Sequence, residues 1–351
     1  MSTQASSNNR FLTLLKTTSV SLMAIILALI VSAFLILLAG VDPIDAYLAL
    51  LDGAFGSTYS LGVTLTKTTP LIFTGLAVAF AFRCNLLNIG AEGQLYIGAL
   101  AAVWAGMHFE GLPAVVHIPF ALLMGCLGGA LWGGLAGYLR AARGISEIIS
   151  TIMLNYIAIF LVSYLVQGPM AEPPGFNHQT AQIAETARLP VIQTGSDLSI
   201  AILIAILCAL IFAYVLWRTP FGLKLRAVGF SPEAARFAGI SVPKFMLTAM
   251  ATSGGLAGLA GATEIQGSQY RLIDFFSPGY GFDGIAVAFL GRSDPIGVVF
   301  TAFLFGALRV GANQMQRSTG LPDSLVVVIQ GMVILFILGI SIRDWLLTRN
   351  Q

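Results

Sequence analysis

Polar side chains gather at two places where the surrounding sequence is apolar. The run Asn85-Leu-Leu-Asn-Ile-Gly-Ala-Glu-Gly-Gln94 brings together Asn85, Asn88, Glu92 and Gln94 with two glycines. Farther on, Ser146 suits a helix N-cap, and Glu147, Thr151 and Asn155 follow at four-residue spacing, on one helical face, flanked by Ser150 and Tyr156. Polar groups in hydrocarbon cost free energy, so they face a cavity or a bundle interior. Two chemistries fit: walls of a path for a polar solute, or hydrogen bonds between helices, worth about 0.6–2 kcal/mol each. Glu92 has a further option, an ion pair with Arg83 at an interface. Lys67, Glu264 and Arg309 fall at similar depth, and reaching for the outer surface accounts for them.

A third cluster lies in residues 218–244, the most basic stretch of the chain. Ser231 is a good N-cap, Pro232 suits the first helical position, Glu233 complements the positive helix end, and Gly239 is a natural stop. The spacing predicts a helix of about two turns. Its body is small (Ala234, Ala235, Ala238), with Arg236 and one large side chain, Phe237. That is the shape of a peg that docks into a groove on another protein; a solvated connector is the plainer alternative.

Other chemistries lack their residues. There is no Gly-x-x-x-x-Gly-Lys-[Ser/Thr] phosphate loop, no His-Glu-x-x-His and no Gly-x-Ser-x-Gly elbow. His108, His117 and His178 are scattered without ligand spacing, so no metal site and no catalytic constellation is expected. Cys84, Cys126 and Cys208 lie in or beside apolar runs, an odd count that suggests no disulfide framework. A net charge of +2 points to no nucleic acid.

The elements that must hold these clusters are membrane helices. Of 351 residues, 57% are hydrophobic and 10% charged, and the mean hydropathy is +0.86. A soluble domain carries about 25% charged residues. At about 20 residues per span, spans are expected near 19–40, 60–82, 86–106, 114–139, 147–167, 198–217, 245–265, 280–291, 295–315 and 323–342. The result is an all-α membrane protein of about ten transmembrane helices, with a single transmembrane domain over 19–342 between cytoplasmic tails at 1–18 and 343–351. The apolar run from Val20 to Ala39 is too long for a cleaved signal and reads as a first span. With both termini inside, thirteen of the eighteen Lys and Arg residues lie on the inner side and three on the outer, which fixes the orientation. Loop 168–197 is then outside and loop 218–244 inside. The span at 280–291 is short: twelve residues rise only about 18 Å, so it is a broken helix or a re-entrant element lined by protein. Gly75-Leu-Ala-Val-Ala-Phe80 is echoed by Gly284-Ile-Ala-Val-Ala-Phe289, which raises the question of an internal repeat.

Several runs in combination resemble a known family. Gly75–Arg83 with Leu87–Gln94, Glu147–Tyr156, Leu225–Gly229 with Ala234–Arg236 and Gly239-Ile240, Phe282–Arg292 and Gln330–Phe336 are similar to the permeases of type II ABC importers for branched-chain amino acids and simple sugars, most closely the nucleoside (guanosine-type) branch. The likeness covers about residues 60–342. It implies a type II importer permease fold in a bacterial inner membrane, with residues 231–239 as the coupling helix that sits in a cleft of a separate ATP-binding cassette subunit. It implies as well a second, different permease around one central path and a periplasmic or lipoprotein solute-binding protein. ATP would be bound by the partner, so no cofactor is expected here. Nucleosides are the implied cargo, with simple sugars or branched-chain amino acids as alternatives. A secondary transporter, the rival class, would need titratable groups at mid-membrane, for which Glu92 is the acidic candidate.

Overall fold

The computed structural model describes residues 30–109, 111–175, 177–322, 325–329 and 331–332, together with 27 and 335. The expected tails at 1–18 and 343–351, and most of the expected last span, lie outside them. The helices are α1 (Ile30–Leu38), α2 (Pro43–Phe55), α3 (Thr58–Phe82), α4 (Ala91–His108), α5 (Ala114–Arg143), α6 (Glu147–Gln167), α7 (Ala201–Arg218), α8 (Pro220–Phe230), α9 (Pro232–Phe237), α10 (Val242–Glu264), α11 (Tyr280–Leu290) and α12 (Pro295–Thr319). Among the described residues, six helices are long and apolar enough to cross a membrane, and α1 with α2, bent by 113°, makes a seventh if counted as one span.

The chain clusters into two compact units. One draws on Leu61–Ala307 and the other on Met1–Ser60 with Leu308–Gln351. In the smaller unit, Ile36, Ala46, Ala312, Met315, Leu321, Val326 and Ile329 form a buried apolar core. Hydropathy leaves residues 41–59 as a connector, but they form α2. The sequence signal is local: the Asp42 side chain accepts a hydrogen bond from Ile44 N, and Pro43 occupies the first turn.

In the larger unit α3, α4 and α10 are mostly buried, while α5, α6 and α7 leave apolar faces exposed, as lipid-facing helices do. Helices α5 and α10 approach backbone to backbone: a Cβ on Gly254 would strike the Gly129 carbonyl oxygen, and one on Gly133 would lie 2.9 Å from the Gly254 Cα. Small residues permit such contact where no solvent drives helices together. Beyond α10 the helix widens into a π turn, Ile265–Gln269, and then irregular backbone runs to Gly279. The short apolar stretch is α11, 11 residues or about 16 Å of rise, preceded by non-helical chain.

Residues 168–197 are not purely helical or coil. They contain a 3₁₀ turn (Glu185–Ala187) and β1 (Val191–Gln193), which pairs antiparallel with β2 (Leu198–Ser199). The segment runs beside the chain after α10, with Thr180 N donating to Leu272 O, Ile183 N to Tyr270 O and Leu189 N to Gln266 O. The basic stretch 218–244 also differs from expectation, since it holds two helices, α8 and α9. Thr219 caps α8 as Ser231 caps α9, each with proline next in sequence.

Candidate functional site

Of the six polar residues expected to line a path, five are buried. Asn88, Glu92, Gln94, Thr151 and Asn155 are each buried, whereas Asn85 stands exposed in a left-handed turn at φ 56°. Asn88 Nδ2 donates to Gln94 Oε1 at 2.8 Å and to Ser253 Oγ at 2.7 Å, and Gln94 Nε2 returns a bond to Asn88 Oδ1 at 3.0 Å. Ser253 Oγ in turn donates to Ala77 O at 2.5 Å, tying α4 and α10 to α3. Asn155 Oδ1 accepts from Gly93 N and its Nδ2 donates to Ile89 O, both at 2.8 Å, which fastens α6 to the start of α4. Thr151 Oγ1 bonds back to Glu147 O at 2.6 Å. The Asn88–Ser253, Ser253–Ala77 and Asn155 bonds cross between elements, whereas the Thr151 bond stays within α6 and the Asn88–Gln94 pair is local.

Glu92 completes the knot. It lies in the first turn of α4, and its Oε2 accepts a 2.6 Å bond from Gly281 N in the first turn of α11. Two helix N-termini therefore face one carboxylate, the arrangement in which a negative charge is best stabilised away from water. Thr74 Oγ1 donates to Tyr280 O at 3.0 Å and holds the other side of that turn. The contact leaves no room: a Cβ on Gly281 would overlap the Glu92 backbone. The ion pair considered between Arg83 and Glu92 gives way to this, and Arg83 Nε donates instead to Ser293 O at 2.9 Å. The echoed segments also meet, since a Cβ on Gly75 would lie 2.7 Å from Val287 Cγ1 and one on Gly284 would lie 2.7 Å from Thr74.

Ser146 stands at the N-cap of α6 without a side-chain capping bond, and Glu147 pairs with Arg140 Nε at 3.2 Å across the turn from α5. Glu264 is buried rather than extended to a surface: Lys67 Nζ lies 3.7 Å from its Oε1. Glu264 lines a small polar cleft with Thr66, Thr69, Ser199, Thr263 and Ser268. Burial pushes the Cys84 thiol up to about 12, which leaves it unreactive. Among the described residues no group of three metal-ligating side chains occurs.

The basic segment has the opposite character. Ser231 Oγ accepts from Ala234 N at 3.2 Å, and Gly239 takes φ 77° after α9. Ser231 and Pro232 are half-buried and Ala235 is buried against the protein, while Glu233, Ala234, Arg236, Phe237 and Gly239 are exposed. Phe237 is 94% exposed and so is Phe230, at the end of α8. Sequence reasoning passed over Phe230, although its place just before the Ser231-Pro232 cap signal marks it as the last residue of an exposed helix. Phe230 and Phe237, with Leu223 exposed on α8 as well, give this short basic segment an apolar surface.

Apolar helices around a buried polar cluster, with exposed apolar faces on α5, α6 and α7, define a multi-pass helical membrane protein. The particular kind follows from comparison with known proteins. Residues 60–338 match the family described as branched-chain amino acid transport system / permease component, and the chain belongs to that family. It is 42% identical over 324 residues to the guanosine ABC transporter permease protein NupP of Bacillus subtilis, covering 91% of this chain and 92% of that one. It is 36% identical to the glucose ABC transporter permease protein TsgB13 of Haloferax volcanii, over 90% of this chain and 86% of the relative. The nucleoside ABC transporter permease protein NupB of Lactococcus lactis shares 35% identity over 91% and 90%. The chain is a transport permease and not an enzyme.

Proposed function

We propose that this chain is the nucleoside-translocating permease of an ATP-driven importer in a bacterial inner membrane. It works with a separate ATP-binding cassette subunit, a second and different permease, and a solute-binding protein held outside. The observation that carries the cargo assignment is the 42% identity, over nine-tenths of both chains, to a guanosine permease. In this reading the chain crosses the membrane about ten times with both termini inside, as the thirteen-to-three bias of basic residues favours. Residues Ser231 to Gly239 form the coupling helix. Ala235 seats it on its own chain, and Phe237, Arg236 and Glu233 face the ATPase, with Phe230 beside them. Asn88, Glu92, Gln94, Thr151 and Asn155 form the closed seam of the translocation route, and Asn85 stands at its inner mouth. The route opens when α11 moves off Glu92.

Groups of this kind, amides and hydroxyls with little free charge, suit a neutral hydrogen-bonding solute. A competition series tests the cargo. Cells carrying the full complex accumulate radiolabelled guanosine, and unlabelled adenosine and uridine compete better than glucose or leucine. Competition by glucose without any nucleoside would move the assignment to sugars, the reading that the glucose-permease relative supports.

A further inference from the structure

Trp217, at the end of α7, sits where four segments meet. Its indole Nε1 donates to Asp294 Oδ1 at 3.1 Å, in the turn between α11 and α12. The Arg83 guanidinium, just past α3, lies 4.9 Å from the centre of its ring, and that of Arg226, in α8, lies 4.5 Å from it. Guanidinium groups hold such planar contacts better than ammonium groups, because they are flat and weakly hydrated. Burial lowers the Arg83 pKa and Asp294 opposes the shift, but an arginine here keeps its charge.

Arg83 also grips the turn itself. Its Nε donates to Ser293 O at 2.9 Å and its Nη2 to Arg292 O at 3.2 Å. Arg292 and Ser293 adopt φ 55° and 51°, a conformation non-glycine residues rarely take. Two consecutive left-handed residues persist only where neighbours over-determine them, and the guanidinium holds both carbonyls. On the other flank α8 packs backbone to backbone on the same corner, since a Cβ on Gly229 would run into Arg83 O. Helix α11 is thus held at both ends. Its first turn hangs on Glu92 and Thr74, and its last is fastened, through Asp294 and the Arg292–Ser293 turn, to the indole and guanidinium stack shared with α8.

We propose that Trp217, with Arg83, Arg226 and Asp294, is the transmission residue of this permease: a positioning pin through which displacement of the α8–α9 segment pulls the lower end of α11. The inference rests on α9 being the part that docks the ATPase. Neither Phe230 nor Phe237 contributes to the pin, so docking and transmission are separable. An ATPase that moves α9 drags Arg226 across the indole, and the indole moves Asp294.

The test uses the complete importer and reads solute taken up per ATP hydrolysed. For Trp217→Ala we expect the ATPase subunit to remain bound and ATP hydrolysis to persist, while uptake per ATP falls about tenfold, the signature of lost coupling rather than lost assembly. Trp217→Phe keeps a ring face for the arginines and loses the bond to Asp294, so its ratio falls less, by about threefold. An unchanged ratio in both variants overturns the pin. Loss of ATPase binding in parallel with uptake also overturns it, because Trp217 would then belong to docking. Where Trp217→Ala does not reach the membrane, Trp217→Phe decides: a lowered ratio supports the pin and an unchanged one removes it. The ratio is read with whichever solute wins the competition series, so an error in the cargo leaves this test intact.

Discussion

The seam between α3, α4, α6, α10 and α11 and the basic segment α8–α9 invert each other. In the seam, polar groups that membrane burial should penalise are all inside and bonded to one another: Asn88 to Gln94 and Ser253, Asn155 to two backbone groups, Glu92 to Gly281. On α8–α9, apolar groups that water should penalise are outside, with Phe230 and Phe237 both 94% exposed. A satisfied buried polar group is complete within its own chain, and its removal costs folding. A bare aromatic ring gains nothing from its own fold, and its removal costs only what it would have touched. The seam is therefore satisfied within its own chain, and the segment leaves its aromatic rings bare.

Three substitutions sharpen this contrast. The largest effect is expected at the seam's tightest point. Gly281→Ala places a Cβ against the Glu92 backbone and forces α11 off α4, for a loss of about 3 kcal/mol, read as a lowered melting temperature in detergent. Asn88→Ala is next: it strands the Gln94 amide and the Gly90 N–H and removes one of the Ser253 hydroxyl's two bonds, for about 1–3 kcal/mol, with ATPase binding unaffected in whatever protein folds. Phe237→Asp acts the other way. Stability stays within about 0.5 kcal/mol of the parent, while recovery of the ATPase subunit with the permease drops about tenfold, or about 1.4 kcal/mol. A Phe237→Asp chain that melts early yet keeps its ATPase would break the comparison, since the segment would then be part of the fold.

Much of this was legible in the sequence where the signal is local. The Ser231-Pro232 cap and the Gly239 stop located α9, and the four-residue spacing placed Thr151 and Asn155 on one face. The same Asp/Ser/Thr-Pro signature also marks Asp42-Pro43 and Thr219-Pro220, the starts of α2 and α8, and there hydropathy alone passed over it. What stayed hidden is long-range. Glu92 and Gly281 are 189 residues apart, and nothing local says that one caps the other's helix. Burial of Glu264 beside Lys67 was hidden for the same reason, because counting rise along single helices gives depth but not neighbours. The polar runs announced that something must satisfy them, and only the packing of α4 against α6, α10 and α11 shows what does.

The most direct measurement of the central claim, that this chain is a passage powered by another subunit, is transport in proteoliposomes of defined composition. The complete complex, supplied with guanosine-loaded binding protein on one side and ATP on the other, should accumulate guanosine. The same preparation without its ATP-binding subunit should accumulate none under any proton or sodium gradient. Gradient-driven accumulation by this chain in the absence of that subunit would contradict the account.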